Sequence, residues 1–302
     1  MNYLAGPLDG EIAAYVEKEN ERYRYLGEKM AEFQTQSGSS IEEMEVKEKM
    51  APYTAWEKVD QEYKQLLSRQ KESGQTLFLV YGDGYRLLTG EGQGADMTDM
   101  EAFLVSLLLV LLTAGTFSCD SGPGMNRVIG AASLGRRDTL HAKKKVVYFL
   151  GLISFLLVYG ADFLKVYMEV GINQFTAPVQ SLFFLSGCKI SINLAQYLLL
   201  LYLIRLLGVY VILHGILIIS LISESTIRSM LISSFLFLLP PILGLLEIAS
   251  AEKVTFLSLL TGGEILKVCL TGNIDLSTVV IFVMTVHVII SSEIFMRYVF
   301  DK

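Results

Sequence analysis

Five long apolar runs limit what this chain can fold into: 100–117, 146 to about 166, about 194–220, 230 to about 246, and 278 to about 296. A helix rising about 1.5 Å per residue needs roughly 20 apolar residues to cross a hydrocarbon core of about 30 Å. The runs match that length. Lipid offers no water to backbone N–H and C=O groups, so only helices and closed barrels span it. Barrel strands alternate apolar and polar residues, and these stretches of Leu, Ile, Val and Phe do not. The expected fold class is an all-α polytopic membrane protein with five transmembrane helices.

Charge becomes informative once the chain is divided near residue 99. Residues 1–99 hold 11 Lys and Arg against 19 Asp and Glu, net −8, and residues 100–302 hold 14 against 12, net +2. The overall −6 and the 52% hydrophobic content therefore average two unlike parts, a polar acidic region 1–99 and a transmembrane domain 100–302. A mean hydropathy of +0.46 excludes a disordered chain, and three cysteines are too few for a disulfide framework.

Lys and Arg concentrate in cytoplasmic loops. Arg127, Arg136, Arg137, Lys143, Lys144, Lys145, Arg228, Arg297 and Lys302 fall on one side of the five runs, and only Lys189, Lys253 and Lys267 on the other. The C-terminus is thus expected in the cytoplasm and residues 1–99 outside the cell membrane. Residues 1–10 have no basic stretch leading into an apolar core, so they are not a signal peptide. Export of the acidic region then calls for one more helix before it, six in a complete chain.

Within 1–99, Ile12, Val16, Glu19, Tyr23, Leu26, Met30 and Phe33 recur at alternating spacings of four and three, a helix with an apolar seam interrupted by one Glu. Ser37, Gly38 and Ser39 mark a turn, and Ser40 with Glu43 forms a capping box that opens a second helix. Trp56, Val59, Tyr63 and Leu66 continue the seam beyond a kink site at Pro52. The pattern predicts an extracellular helical hairpin. Residues 76–81 are β-prone, and Gly82, Asp83 and Gly84 supply a turn before Tyr85, predicting a short hairpin or extended segment. Gly90 to Gly94 make a flexible approach to the membrane.

The loop 118–145 carries the most specific pattern: Gly124, Met125, Asn126, Arg127, Val128 and Ile129, then Ala131, Ala132, Ser133, Leu134, Gly135, Arg136 and Arg137, then Leu140, Ala142 and Lys143. Apolar anchors among basic residues let such a segment lie on a membrane surface and face a soluble partner. The loop resembles the coupling loop in permease subunits of type 2 (exporter) ABC transporters, in which Gly-Met, a polar pair, two aliphatics, small residues, Gly-Arg and Ala-Lys follow in order. Ala177, Pro178, Val179, Gln180, Ser181 and Leu182 resemble a further segment of those permeases, as do Gly6, Pro7 and Leu8 and the stretch from Val80 and Tyr81 to Tyr85. The chain departs from them in having only Asp120 as an acidic residue before Gly-Met, and in lacking the first helix.

The resemblance implies a permease whose Gly124, Met125, Arg127, Val128, Ile129, Gly135, Arg136, Arg137 and Lys143 contact a separate ATP-binding subunit. A second permease copy or a paralogue would complete the pathway. The dipeptide Gly-Lys never occurs, so no Walker loop is present, and ATP hydrolysis is expected on the other subunit. No metal-ligand spacing, catalytic elbow or nucleic-acid motif is found, and neither an enzymatic activity nor a cofactor is expected of this chain. The alternative is a non-transporting membrane sensor or interaction protein that displays the hairpin.

Ionisable residues inside apolar runs are costly and become candidates for function. Arg205 is the main intramembrane charge, near the midplane if its helix begins at Leu194 and at the outer surface if it begins near Leu201. Asp162 and Lys165 are spaced for a local pair. Glu293 lies near the inner end of the last run, and His214 and His287 read as hydrogen-bonded core histidines. Pro240 and Pro241 are expected to kink or break the fourth helix. Cys188 and Cys269 fall on the same side and could pair, whereas Cys119 falls on the other.

Overall fold

Four helices among the described residues are long and apolar enough to cross a membrane: Met97–Asp120, Asp138–Glu169, Leu194–Ile222 and Thr278–Met296. The computed structural model, 80% helical, describes residues 6–34, 40–91, 95–121, 135–245, 257–273 and 276–301. In chain order its elements are β1 (Gly6–Pro7), α1 (Gly10–Gln34), α2 (Ser40–Ser73), β2 (Phe78–Leu79), α3 (Asp83–Thr89), α4 (Ala95–Thr113), α5 (Gly135–Phe155), α6 (Ala161–Glu169), α7 (Leu194–Ile222), α8 (Thr226–Leu245), α9 (Leu257–Thr261), α10 (Gly263–Thr271) and α11 (Leu276–Asp301). The fourth apolar run corresponds to α8, whose apolar stretch Thr226–Pro240 is shorter than a full crossing. The helix does not end at the proline pair but continues to Leu245.

The chain divides into two compact units. The first comprises Met1–Gly82, Asn173–Gly187 and Ser191–Ala195. Here α1 and α2 pack antiparallel: Leu8 and Val16 share a small core with Tyr63, Leu66, Leu77 and Leu79, while Asn20 meets Trp56 and Asp60 further along. Ile12, Val16, Trp56, Tyr63 and Leu66 of the seam read from sequence meet here and Tyr23 stacks on Trp56, while the side chains of Leu26, Met30 and Phe33 lie outside the described residues. The turn at 37–39 lies outside the described residues, but α2 does begin at Ser40 and runs past Pro52 as one element. β1 and β2 pair antiparallel, Gly6 opposite Leu79 and Pro7 opposite Phe78. The Phe78 amide also donates to Ser181 Oγ at 3.0 Å. Residues 6–7, 78–79 and Ser181 thus come together in this unit, whereas the stretch from Val80 to Tyr85 is divided, Tyr85 belonging to the second.

The second unit comprises Asp83–Ile172, Cys188–Ile190 and Gln196–Lys302. Residues 83–89 were expected as a turn leading into extended chain; they form α3 instead, with Asp83 in the first turn where the helix dipole favours an acid. The apolar core runs along α4, α5, α7 and α8 through Val105, Leu109, Val147, Phe155, Val209, Ile212, Leu213, Ile216 and Phe237. Leu111, Phe149 and Leu203 are exposed on α4, α5 and α7, as are Leu157 just beyond α5 and Val283 and Ile290 on α11. Helices apolar on both inner and outer faces suit lipid surroundings.

Two departures from plain α-helix shape this unit. α5 passes through a π-turn, Leu156–Gly160, before α6; such turns add a residue to the helix and often mark functional positions. Where α4 ends at Thr113, the Phe117 and Ser118 amides donate to Ser220 Oγ at 2.9 and 3.1 Å, and Ser229 Oγ donates to the Ala114 carbonyl at 2.5 Å. Fully buried serines on α7 and α8 thus satisfy backbone groups that lipid would leave unpaired.

Candidate functional site

Arg205 is completely buried and sits at the centre of the polar interior of the second unit. α7 begins at Leu194, which puts Arg205 about 16 Å along the helix by the usual rise. Its Nε donates to the Thr261 carbonyl at 2.9 Å and its Nη2 to the Leu88 carbonyl at 2.7 Å. Thr261 closes α9 and Leu88 lies in the last turn of α3, so one guanidinium caps two helix C-termini, where carbonyls lack helical donors and the dipole favours a cation. Its flat faces lie 4.7 Å from the Tyr159 ring centroid and 5.5 Å from that of Tyr202.

The third guanidinium nitrogen, Nη1, makes no hydrogen bond and is directed at Glu101 Oε2, 3.6 Å away. Glu101 stands near the start of α4, and Asp162 on α6 interacts with it directly. The π-turn brings this about: Tyr159 within it donates its hydroxyl to the Leu260 carbonyl at 2.9 Å, and Asp162 follows two residues beyond its end. Glu101 is 5% exposed and Asp162 7%, and none of their four carboxyl oxygens takes part in a hydrogen bond. The expected pairing of Asp162 with Lys165 does not form. Lys165 points to the surface, while Asp162 turns inward.

Two glycines let the covering helices approach. Gly262, at φ 74°, ends α9 in the left-handed region, and its amide donates to Ser258. A Cβ on Gly263 would lie 1.9 Å from the Thr89 carbonyl oxygen, so only glycine allows α10 to start against α3.

A second polar group fastens the other ends of the helices. Lys143 pairs with Asp120 and donates to the Thr116 carbonyl at 2.5 Å, with its ammonium over the Phe117 ring. Lys144 bonds Glu293 on α11 at 2.5 Å. His214 Nδ1 is 2.9 Å from the Tyr210 carbonyl; with the proton there, Nε2 is left to accept from the Tyr148 hydroxyl at 3.2 Å. His214 is thus the hydrogen-bonded core histidine expected of it, and Glu293 has a named partner. His287, expected to be a core histidine as well, is instead exposed on α11, 3.4 Å from Ser291 Oγ.

No family model, curated protein or solved structure matches this chain. Its chemistry is read from its own residues.

Of the coupling-loop residues, Gly124, Met125, Arg127, Val128 and Ile129 lie outside the described residues. Gly135, Arg136 and Arg137 form the first turn of α5, well before the apolar run at 146, because basic residues hid the helix start from a hydropathy reading. Lys143 is engaged with Asp120. Cys188 and Cys269, which could have paired, form no disulfide with each other, and Cys119 forms none with either. Burial pushes the Cys188 and Cys269 thiols above their ordinary pKa, with the Lys267 ammonium partly offsetting this at Cys188.

The sequence reading singled out Arg205 but missed Glu101 and Asp162 as its neighbours. Glu101 stands in the first turn of an apolar run, where a charge passes for an interfacial one. Asp162 had a nearer cation in sequence. The available signal was that each carboxylate falls inside a stretch long enough to cross the membrane.

Proposed function

We propose that this chain is the membrane-spanning permease subunit of an ABC-type exporter, driven by ATP hydrolysis on a separate subunit. The observation that carries the reading is the position of the Gly-Met to Gly-Arg segment. It joins two helices of membrane-crossing length, and Lys143 clamps its base by holding Asp120 and Thr116 of the first from the second. A partner pressing on residues 124–137 would push directly on both helix ends. Lys144 passes that displacement to α11 through Glu293, and His214 and Tyr148 tie in α7.

On this reading five helices cross the cell membrane, α8 included, with the C-terminus and the 118–145 loop cytoplasmic and the helical hairpin of residues 1–99 extracellular. A second permease copy or paralogue completes the pathway. A photo-crosslinking amino acid at Met125 or Arg127 tests it in native membranes. A crosslink to an ATP-binding protein is expected; crosslinks to lipid alone would favour the non-transporting sensor.

A further inference from the structure

We infer that Glu101 and Asp162 form a proton-binding site, one proton being held between the two carboxyls beside Arg205. The inference stands apart from the exporter reading and does not depend on an ATPase.

It follows from charge and geometry. Two carboxyl groups, both more than nine-tenths buried, interact with one another, and one of them, Glu101, faces the Arg205 guanidinium. That cation offsets one negative charge and leaves the other uncompensated in a site without exposed solvent. Burying an unpaired charge costs far more than neutralising it. None of the four carboxyl oxygens receives a hydrogen bond, and neither carboxylate can donate one to the other until a proton is added. A proton between the carboxyls converts their repulsion into an O–H···O bond and leaves one negative charge for Arg205.

The neighbours favour a proton over a metal ion. Among the described residues no group of three His, Cys, Asp or Glu side chains gathers here. The Leu88 and Thr261 carbonyls, the nearest other oxygen ligands, already accept from Arg205. The guanidinium would also repel a cation placed between the carboxyls. The other groups facing the pair are accounted for. Tyr159 spends its hydroxyl on Leu260, and Tyr202 has an unpaired hydroxyl. Lys165 acts on Glu101 from the surface of α6, and Arg86 on α3 pairs at the surface with Asp83.

The site then bears on the covering helices. Loss of the proton sets two carboxylates against Arg205 and competes with the Leu88 and Thr261 carbonyls for its donors. Proton binding thereby governs how firmly α3 and α9 are held.

Infrared spectroscopy of the full-length protein in lipid nanodiscs at neutral pH tests this. The expected result is a protonated-carboxyl C=O band, shifted in D2O, whose intensity falls by one carboxyl in Glu101→Gln and equally in Asp162→Asn. Either change leaves a single carboxyl, with no second one to share a proton. Thermal unfolding gives a second readout: Asp162→Asn, which leaves the Glu101–Arg205 pair in place, keeps its midpoint, and Glu101→Gln/Asp162→Asn lowers it because Arg205 has no counter-charge. Absence of the band in the wild-type protein, its survival at full intensity in both single variants, or its disappearance on adding Na+, K+ or Ca2+ would overturn the proposal.

Discussion

Arg205 Nη2 and the Leu88 carbonyl lie 2.7 Å apart, joining the interior of α7 to the last turn of α3. The same side chain holds Thr261 and faces Glu101. Arg205→Ala would release both helix ends and strip Glu101 of its counter-charge. Removing one partner of a buried pair typically costs about 3–5 kcal/mol, and a loss of that size is expected in the unfolding midpoint of the solubilised protein. Arg205→Lys recovers little, because an ammonium lacks the planar fork that reaches two carbonyls and a carboxyl together.

Gly263 and Gly160 should respond oppositely to alanine. At Gly263 the new methyl meets the Thr89 carbonyl, a backbone atom without freedom to yield, and a loss of roughly 1–3 kcal/mol is expected. At Gly160, in the π-turn, a Cβ meets nothing within 4 Å. Alanine there is expected to be neutral or to stabilise by up to about 1 kcal/mol. Thermal unfolding of the two variants checks both.

Trp56 is the one tryptophan in the chain, so its fluorescence reports on the first unit alone. It stacks on Tyr23 with centroids 5.3 Å apart and donates from Nε1 to Asn20 Oδ1 at 2.6 Å. Asn20 also donates to Asp60 at 2.7 Å. Asn20→Ala leaves both groups without that partner, at a cost of about 1–3 kcal/mol. Trp56 emission is expected to shift to the red, and its unfolding transition to occur earlier.

The parts legible in the sequence were those governed by periodicity and length. The α1–α2 seam followed from Val16, Tyr63 and Leu66, and the four helices long and apolar enough to cross a membrane from uninterrupted apolar runs. The start of α5 at Gly135 was hidden because Arg136, Arg137 and Lys143 to Lys145 are good helix formers that carry charge. α3 was missed because Gly82 and Gly84 resemble a turn, although Asp83 supplies a helix-opening acid. The partners of Arg205 were hidden for a different reason. Glu101, Asp162, Leu88 and Thr261 are far apart in the chain, and only the π-turn and the Gly262–Gly263 junction bring them to one point.

Thiol chemistry separates the cysteines and tests orientation. Cys119 is exposed, whereas burial raises the Cys188 and Cys269 pKa values and so lowers their thiolate fraction at neutral pH. Maleimide should modify Cys119 first, and labelling of the other two should quicken as pH rises. With the 118–145 loop in the cytoplasm, a membrane-impermeant maleimide labels Cys119 only after whole cells are permeabilised.

The exporter reading is tested most directly by purifying the tagged full-length protein from its native membrane and assaying the eluate for a bound ATP-binding subunit and ATP hydrolysis. The account predicts that both are present with the wild-type chain, and that both are lost when Gly135, Arg136 and Arg137 are substituted while the chain still inserts and folds. A wild-type eluate with no ATP-binding protein, or an association that survives those substitutions unchanged, would contradict it.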